Sequence, residues 1–119
     1  MSQDSNPLGS IEVSPTAIAT IASQAALRTY GVVGMAPKSI VNGLANRLTP
    51  DPRHGVEVLL KDGHISINLY VVVEYGTRIS SVASSVANAV RFQVEKALDM
   101  PIGDVDVHVE GLRVSHSDA

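Results

Sequence analysis

Two runs of alternating apolar residues flank the turn Lys61-Asp62-Gly63-His64, and this pairing constrains the fold more than any other stretch of the chain. A two-residue hairpin loop needs positive φ at both central positions, and Asp-Gly tolerates that conformation. The turn sets the register. Leu60 opposes Ile65, Val58 opposes Ile67 and Val56 opposes Leu69, so apolar residues meet apolar residues on one face. A slip of one residue would turn that whole set to the other face, which is why the alternation holds the register. The second strand runs on through Val71 and Val73. A hairpin with one apolar face must bury it against another layer.

Two helical stretches supply that layer. Ser14-Pro15 marks a helix start, with Ser as N-cap and Pro at the first helical position. Ile18, Ile21, Ala22 and Ala25 follow at helical spacing, and Gly31 is expected to end the helix in a left-handed conformation, giving a span from Pro15 to Tyr30. Beyond the hairpin, Gly76-Thr77 opens a second helix with Thr77 as the expected N-cap. Ile79, Val82, Ala83, Val86, Ala89, Val90, Val94 and Ala97 fall on one side of it, and it stops near Leu98, ahead of Pro101. Asp104 to Glu110 alternates again, with Val105, Val107 and Val109 on one face. Gly111 is expected to bulge that strand before Leu112 and Val114.

Weaker signals complete the plan. Gly9 to Val13 alternates briefly and reads as a short strand. Ile40, Leu44 and Leu48 at four-residue spacing suggest a short helix over Pro37 to Leu48, and Thr49-Pro50-Asp51-Pro52 reads as a loop. The expected fold is an α+β two-layer sandwich: a small mixed, mostly antiparallel sheet made of the N-terminal strand, the hairpin and the C-terminal strand, with two main helices on one face. It is expected to form one domain over residues 9–114, between polar, disordered tails at 1–8 and 115–119.

Composition narrows the function. The 119 residues are 45% hydrophobic and 18% charged, a balance that excludes a disordered chain. Without cysteine there is no thiolate ligand, nucleophile or disulfide. Nine basic residues stand against twelve acidic ones, which argues against a nucleic-acid binder. The longest unbroken apolar run, Leu69 to Val73, is far short of the roughly 20 residues of a membrane helix. Met1 to Leu8 has no signal-peptide character. A cytoplasmic location is expected, unless a partner carries the protein elsewhere.

Alternation assigns Glu12, Glu57, Glu74, Asp104, Asp106 and Glu110 to the face of the sheet away from the helices, with Lys61 the only base there. His64, Ser66, Asn68, Tyr70 and His108 join them. Small α/β sheets that bind RNA use basic and aromatic residues on this surface; here it is acidic. The ordinary reading is a solvated polar face, and a site for a cation or a basic partner is the alternative. None of His54, His64, His108 and His116 forms an i, i+4 ligand pair on a helix. Asp106 and His108 share a strand face, and with His64 they define a weak metal pattern, for which exposed strand polar residues are much the commoner explanation. Ser80, Ser81, Ser84 and Ser85 lack the surroundings of a nucleophile elbow. Gly31-Val32-Val33-Gly34 lacks the features of a phosphate-binding loop. The better lead lies on the second helix. Opposite its apolar side runs a stripe of Ser81, Ser85, Asn88, Phe92 and Glu95 that holds the only Phe in the chain. A lone ring among small side chains can anchor a partner; packing against Pro37 to Leu48 would account for it as well.

Taken in order, Gly9-Ser10-Ile11-Glu12-Val13-Ser14, Ile18, Ile21-Ala22, Ala25 and Tyr30-Gly31-Val32-Val33-Gly34 resemble the opening of the alkaline shock protein family of envelope- and general-stress proteins. Gly55-Val56, the hairpin, Val73-Glu74-Tyr75-Gly76-Thr77-Arg78-Ile79 and Val105-Asp106-Val107-His108-Val109-Glu110-Gly111 resemble the remainder. The likeness covers about Gly9 to Val114. Val33-Gly34-Met35-Ala36 looks most like the compact single-domain members, whose genes often lie beside fatty-acid metabolism genes in Gram-positive bacteria. The resemblance implies a cytosolic protein without known catalytic activity or cofactor, and some members are held near the membrane by a membrane-anchored partner. It carries over no catalytic residues.

The resulting expectation is a non-enzymatic cytosolic adaptor or scaffold in the stress response, linked to cell-envelope homeostasis or lipid metabolism and acting through protein contacts. No catalytic, cofactor-binding or metal residues are assigned, and Ser81, Ser85, Asn88 and Phe92 are the candidate partner-binding residues. Protein partners are expected, membrane-anchored ones and a second copy included, but neither nucleic acid nor direct membrane insertion. The alternative is a small RNA- or ribosome-associated binding module.

Overall fold

The computed structural model describes residues 13–36 and 55–115. Six elements follow in chain order: α1 (Pro15–Leu27), β1 (Val32–Met35), β2 (Val56–Lys61), β3 (His64–Glu74), α2 (Ile79–Leu98) and β4 (Val105–Arg113). The α+β sandwich expected from the sequence is the observed architecture. The expected strand at 9–13 and the expected helix at 37–48 lie outside the described residues, except that Val13 packs against the core just ahead of α1.

β3 is the centre of the sheet. β2 pairs with it antiparallel in the expected register, Val56 with Leu69, Val58 with Ile67 and Leu60 with Ile65. Asp62 and Gly63 have φ of 52° and 78°, the positive values this turn requires. β1 pairs antiparallel with the other half of the same edge, Val32 opposite Val73 and Met35 opposite Val71. β4 runs parallel along the far edge, from Ile67 opposite Val105 to Glu74 opposite Arg113. Parallel neighbours need a crossover, and α2 is that crossover.

β1 and β2 are two halves of one broken edge strand. The Ala36 N–H donates to the Tyr70 carbonyl and the Tyr70 N–H donates to the Gly55 carbonyl, both at 2.8 Å. The chain therefore leaves the edge at Ala36 and rejoins it at Gly55, opposite the same residue. Gly55 has φ of +80°, and a Cβ there would sit 2.8 Å from the Tyr70 oxygen and 2.9 Å from the Ala36 oxygen. Glycine is required by conformation and by space alike.

Ile65, Ile67, Leu69, Val71 and Val73 line the covered face of β3 and are all buried. They meet Val82, Val86, Val90 and Val94 of α2 and Ile18, Ala22, Ala25 and Ala26 of α1 in one core. Leu60 shares a row with Ile65 but is 67% exposed where Ile65 is 6% exposed.

Element ends depart from expectation in physically readable ways. α1 stops at Leu27, three residues before Tyr30, and Gly31 serves the following turn instead of the cap. There φ is +96°, and the Gly31 carbonyl accepts the Glu74 N–H at 2.8 Å, which ties the turn to β3. The N-cap of α2 is Arg78, not Thr77. The Thr77 hydroxyl donates to the Glu74 carbonyl at 2.7 Å and closes the turn out of β3. α2 ends at Leu98 as expected, with Asp99 left-handed at φ 59°. The expected bulge is present: Val71 pairs with Val109 and Val72 with Gly111, so Glu110 is the extra residue.

Candidate partner-binding surface

The outward side of α2 follows from the helical period. Its buried valines recur every four residues, which leaves Ser81, Ser85 and Asn88 exposed on the other side. The Phe92 ring lies in the same stripe and is 60% exposed. Lys96, one turn on, places its Nζ 5.7 Å from the ring centroid. A cation at that position over an exposed ring contributes about 0.5–1 kcal/mol and leaves the rest of the ring surface open. The expected alternative contact for Phe92, the segment 37–48, lies outside the described residues.

Glu95 is not part of the open stripe. Its carboxylate accepts the Ile102 N–H at 2.9 Å, and the Arg91 guanidinium donates to the Ile102 carbonyl at 3.2 Å. Arg91 and Glu95 also face each other at 3.5 Å. Together they fasten the linker between α2 and β4 and hold Ile102 in the core. This role depends on where the linker passes and has no local signal in the sequence.

At the other end of the stripe an open groove of about 240 Å³ lies between the α1–β1 turn and the start of α2. Tyr30, Thr77, Arg78, Val82, Ser81 and Ser85 are among its walls. Two of the expected partner-binding serines thus belong to a concave surface as well as to the helix face. Tyr30, placed by sequence reasoning at the end of a helix, is 86% exposed at the rim. The structure adds this second exposed ring to the surface. The one available signal was a Tyr directly before a turn glycine.

The opposite face of the sheet carries a cross-strand polar chain. The Asn68 amide donates to Glu57 Oε1 at 3.2 Å, and His108 Nε2 lies 3.3 Å from Asn68 Oδ1. The Tyr70 and His108 rings stack with centroids 4.7 Å apart and planes 13° from parallel. Lys61 is not the only base on this face. The bulge shifts the alternation, so Arg113 lies opposite Glu74 and pairs with it at 3.3 Å. A hydrogen bond from the Ser115 side chain holds the Glu74 carboxyl below its ordinary pKa; partial burial opposes this, and Arg113 adds to the lowering. The weak metal pattern does not assemble. His64 pairs with Lys61 at the hairpin, while Asp106 and His108 lie farther along, opposite Asn68 and Tyr70. Among the described residues no group of three or more potential ligands is close enough to hold a metal ion.

Residues 3–114 match the alkaline shock protein (ASP23) family, described as having a cell envelope-related function, and the chain belongs to that family. It is 37% identical over 110 residues to the uncharacterized protein YloU of Bacillus subtilis (strain 168), covering 91% of this chain and 92% of that one. It is 31% identical over 114 residues to the uncharacterized protein YqhY of the same organism, covering 95% and 84%. Among solved structures, a zinc form of the MamM C-terminal domain superposes with a TM-score of 0.47 at 15% identity, over 83% of this chain and 84% of that one. That likeness is too slight to carry an argument. Among the described residues, no helix is long and apolar enough to cross a membrane.

Proposed function

We propose that this protein is a non-enzymatic adaptor of the cell envelope stress response, working in the cytoplasm through protein contacts made by the outward side of α2. The observation that carries the reading is Phe92. An exposed ring sits in a stripe of Ser81, Ser85 and Asn88, whose short side chains let a partner approach the helix closely. The stripe runs into the groove beneath Tyr30, so the partner gains a concave end as well as a flat one. Membership of a family with a cell envelope-related function supports the pathway. A partner anchored at the membrane would place the complex there without a membrane segment in the described part of this chain.

The test is Phe92→Ala in the full chain. Burying a Phe contributes roughly 1.5–3 kcal/mol, so association should weaken about tenfold or more while the melting temperature stays close to wild type. Sedimentation and affinity capture from native cytosol, with mass spectrometry, measure the first; thermal melts measure the second. A large fall in melting temperature with self-association and capture unchanged would instead make Phe92 a packing residue.

A further inference from the structure

β4 is hydrogen-bonded along one edge. The Ile67 N–H donates to the Asp104 carbonyl at 2.9 Å, and the parallel register continues through Asn68–Asp106, Leu69–Val107 and Tyr70–His108. In such a ladder alternate residues turn both backbone groups toward the same neighbour. Asp106 and His108 therefore face β3, and Val105, Val107 and Val109 turn their N–H and C=O groups to the other edge. Among the described residues no strand pairs with that edge. The same three valines pack against the core yet remain half-buried, so the apolar layer continues out to the edge of the described sheet. On the opposite face of the strand, Asp104, Asp106 and Glu110 are exposed and have no ion pair among the described residues.

Charge decides what this edge can take. A second copy could add its own β4 antiparallel with the outward groups bonded to each other. Centred on Val107, that arrangement puts Asp104 opposite the copy's Glu110 at both ends. Shifted by one pair in either direction, it puts Asp106 opposite the copy's Asp106 or the copy's Glu110. Each register sets like charges directly across from one another, which destabilises the pairing. Acidic residues on an edge strand deter self-association in this way, and they attract the opposite charge. An extended segment alternating basic and apolar residues satisfies every feature at once. Its backbone bonds the three outward amides, its basic side chains lie over Asp104, Asp106 and Glu110, and its apolar side chains extend the valine row.

We infer that the edge of β4 with which no described strand pairs accepts an extended basic segment of a partner protein by strand addition. This surface is separate from the α2 stripe, and the inference does not rest on the adaptor reading. The probe is a labelled seven-residue peptide alternating Lys and Val, with a peptide alternating Glu and Val as control. Fluorescence anisotropy on the full chain should show saturable binding at least tenfold tighter for the Lys peptide, weakening as salt is raised. Val107→Pro removes one outward N–H at an edge position where proline is tolerated, and it should weaken binding about tenfold or more. Asp106→Lys with Glu110→Lys should abolish the preference for the Lys peptide, whereas Phe92→Ala should leave it intact. In the free chain, Val105, Val107 and Val109 should exchange their amide hydrogens faster than Asp106 and His108, and should slow when peptide binds. Equal binding of the two peptides, or unchanged binding by a folded Val107→Pro, would reduce the effect to loose charge attraction and overturn the inference. Slow exchange at the three valines in the free chain would overturn it too, because the edge would already be covered. Should Val107→Pro fail to fold, hydrogen exchange and the charge-reversed variant decide the matter.

Discussion

α1 and α2 lie over the same sheet, yet they are built on different plans. Six of the 13 residues of α1 are buried, and five of those six are Ala or Ser. Only four of the 20 residues of α2 are buried, and all are Val at four-residue steps. Small side chains let α1 approach its neighbours closely along much of its surface, so it serves as a wall of the core. α2 presents a single ridge of buried valines to the core, its Arg91 and Glu95 hold the linker to β4, and Ser81, Ser85, Asn88 and Phe92 on its outward side are exposed. Their starts differ in the same sense. Ser14 Oγ accepts the Ala17 N–H at 3.1 Å to cap α1, whereas Arg78 supplies no side-chain cap to α2. The start of α1 is therefore satisfied by a side chain where the start of α2 is not.

The sharpest way to break this division is at the point where the turn after α1 meets α2. A Cβ on Gly31 would lie 2.7 Å from Val82 Cγ2 in a backbone with φ of +96°. Gly31→Ala should therefore cost roughly 2–4 kcal/mol, combining backbone strain with overpacking, as measured by denaturant unfolding. Next in size is the ridge. Val90→Ala leaves a cavity between α2 and β3 and should cost about 2 kcal/mol, with the native fold retained by circular dichroism. The two caps give a smaller, two-sided test. Ser14→Ala should destabilise by about 1 kcal/mol, and Arg78→Asp, which supplies the missing acceptor and suits the helix dipole, should stabilise by about 0.5–1 kcal/mol. A loss of stability from Arg78→Asp would mean that the start of α2 is already satisfied and that the contrast between the helices is wrong there. The smallest effect on stability is expected at Phe92. Phe92→Ala should change unfolding free energy by no more than about 0.5 kcal/mol, the range of surface substitutions, while its effect appears in association.

The same contrast separates what could be read from the chain and what could not. The valine ridge of α2 and the stripe opposite it were legible because both follow from one helical period. The hairpin was legible because a two-residue turn and period-two alternation agree on one register. β1 was not. Val32 to Met35 is four residues with a glycine inside, too short for any period, and it is a strand because Val71 to Val73 of β3 offer it a free edge. The exposure of Tyr30 and the engagement of Glu95 by Ile102 were equally hidden, since each depends on chain that arrives from elsewhere.

Sequence alone determined the periodic features: the register of the hairpin, the buried ridge of α2, the alternation and bulge of β4 and the family to which they belong. Each is set by residues within a few positions of one another, where backbone geometry leaves few choices. Tertiary structure decided which ends and edges were covered. It stopped α1 at Leu27, drew Thr77 into a turn, turned Arg113 toward Glu74 and left Leu60 exposed beside a buried partner. Those outcomes depend on which distant groups compete for the same hydrogen bond or the same apolar surface, and no local pattern contains that information.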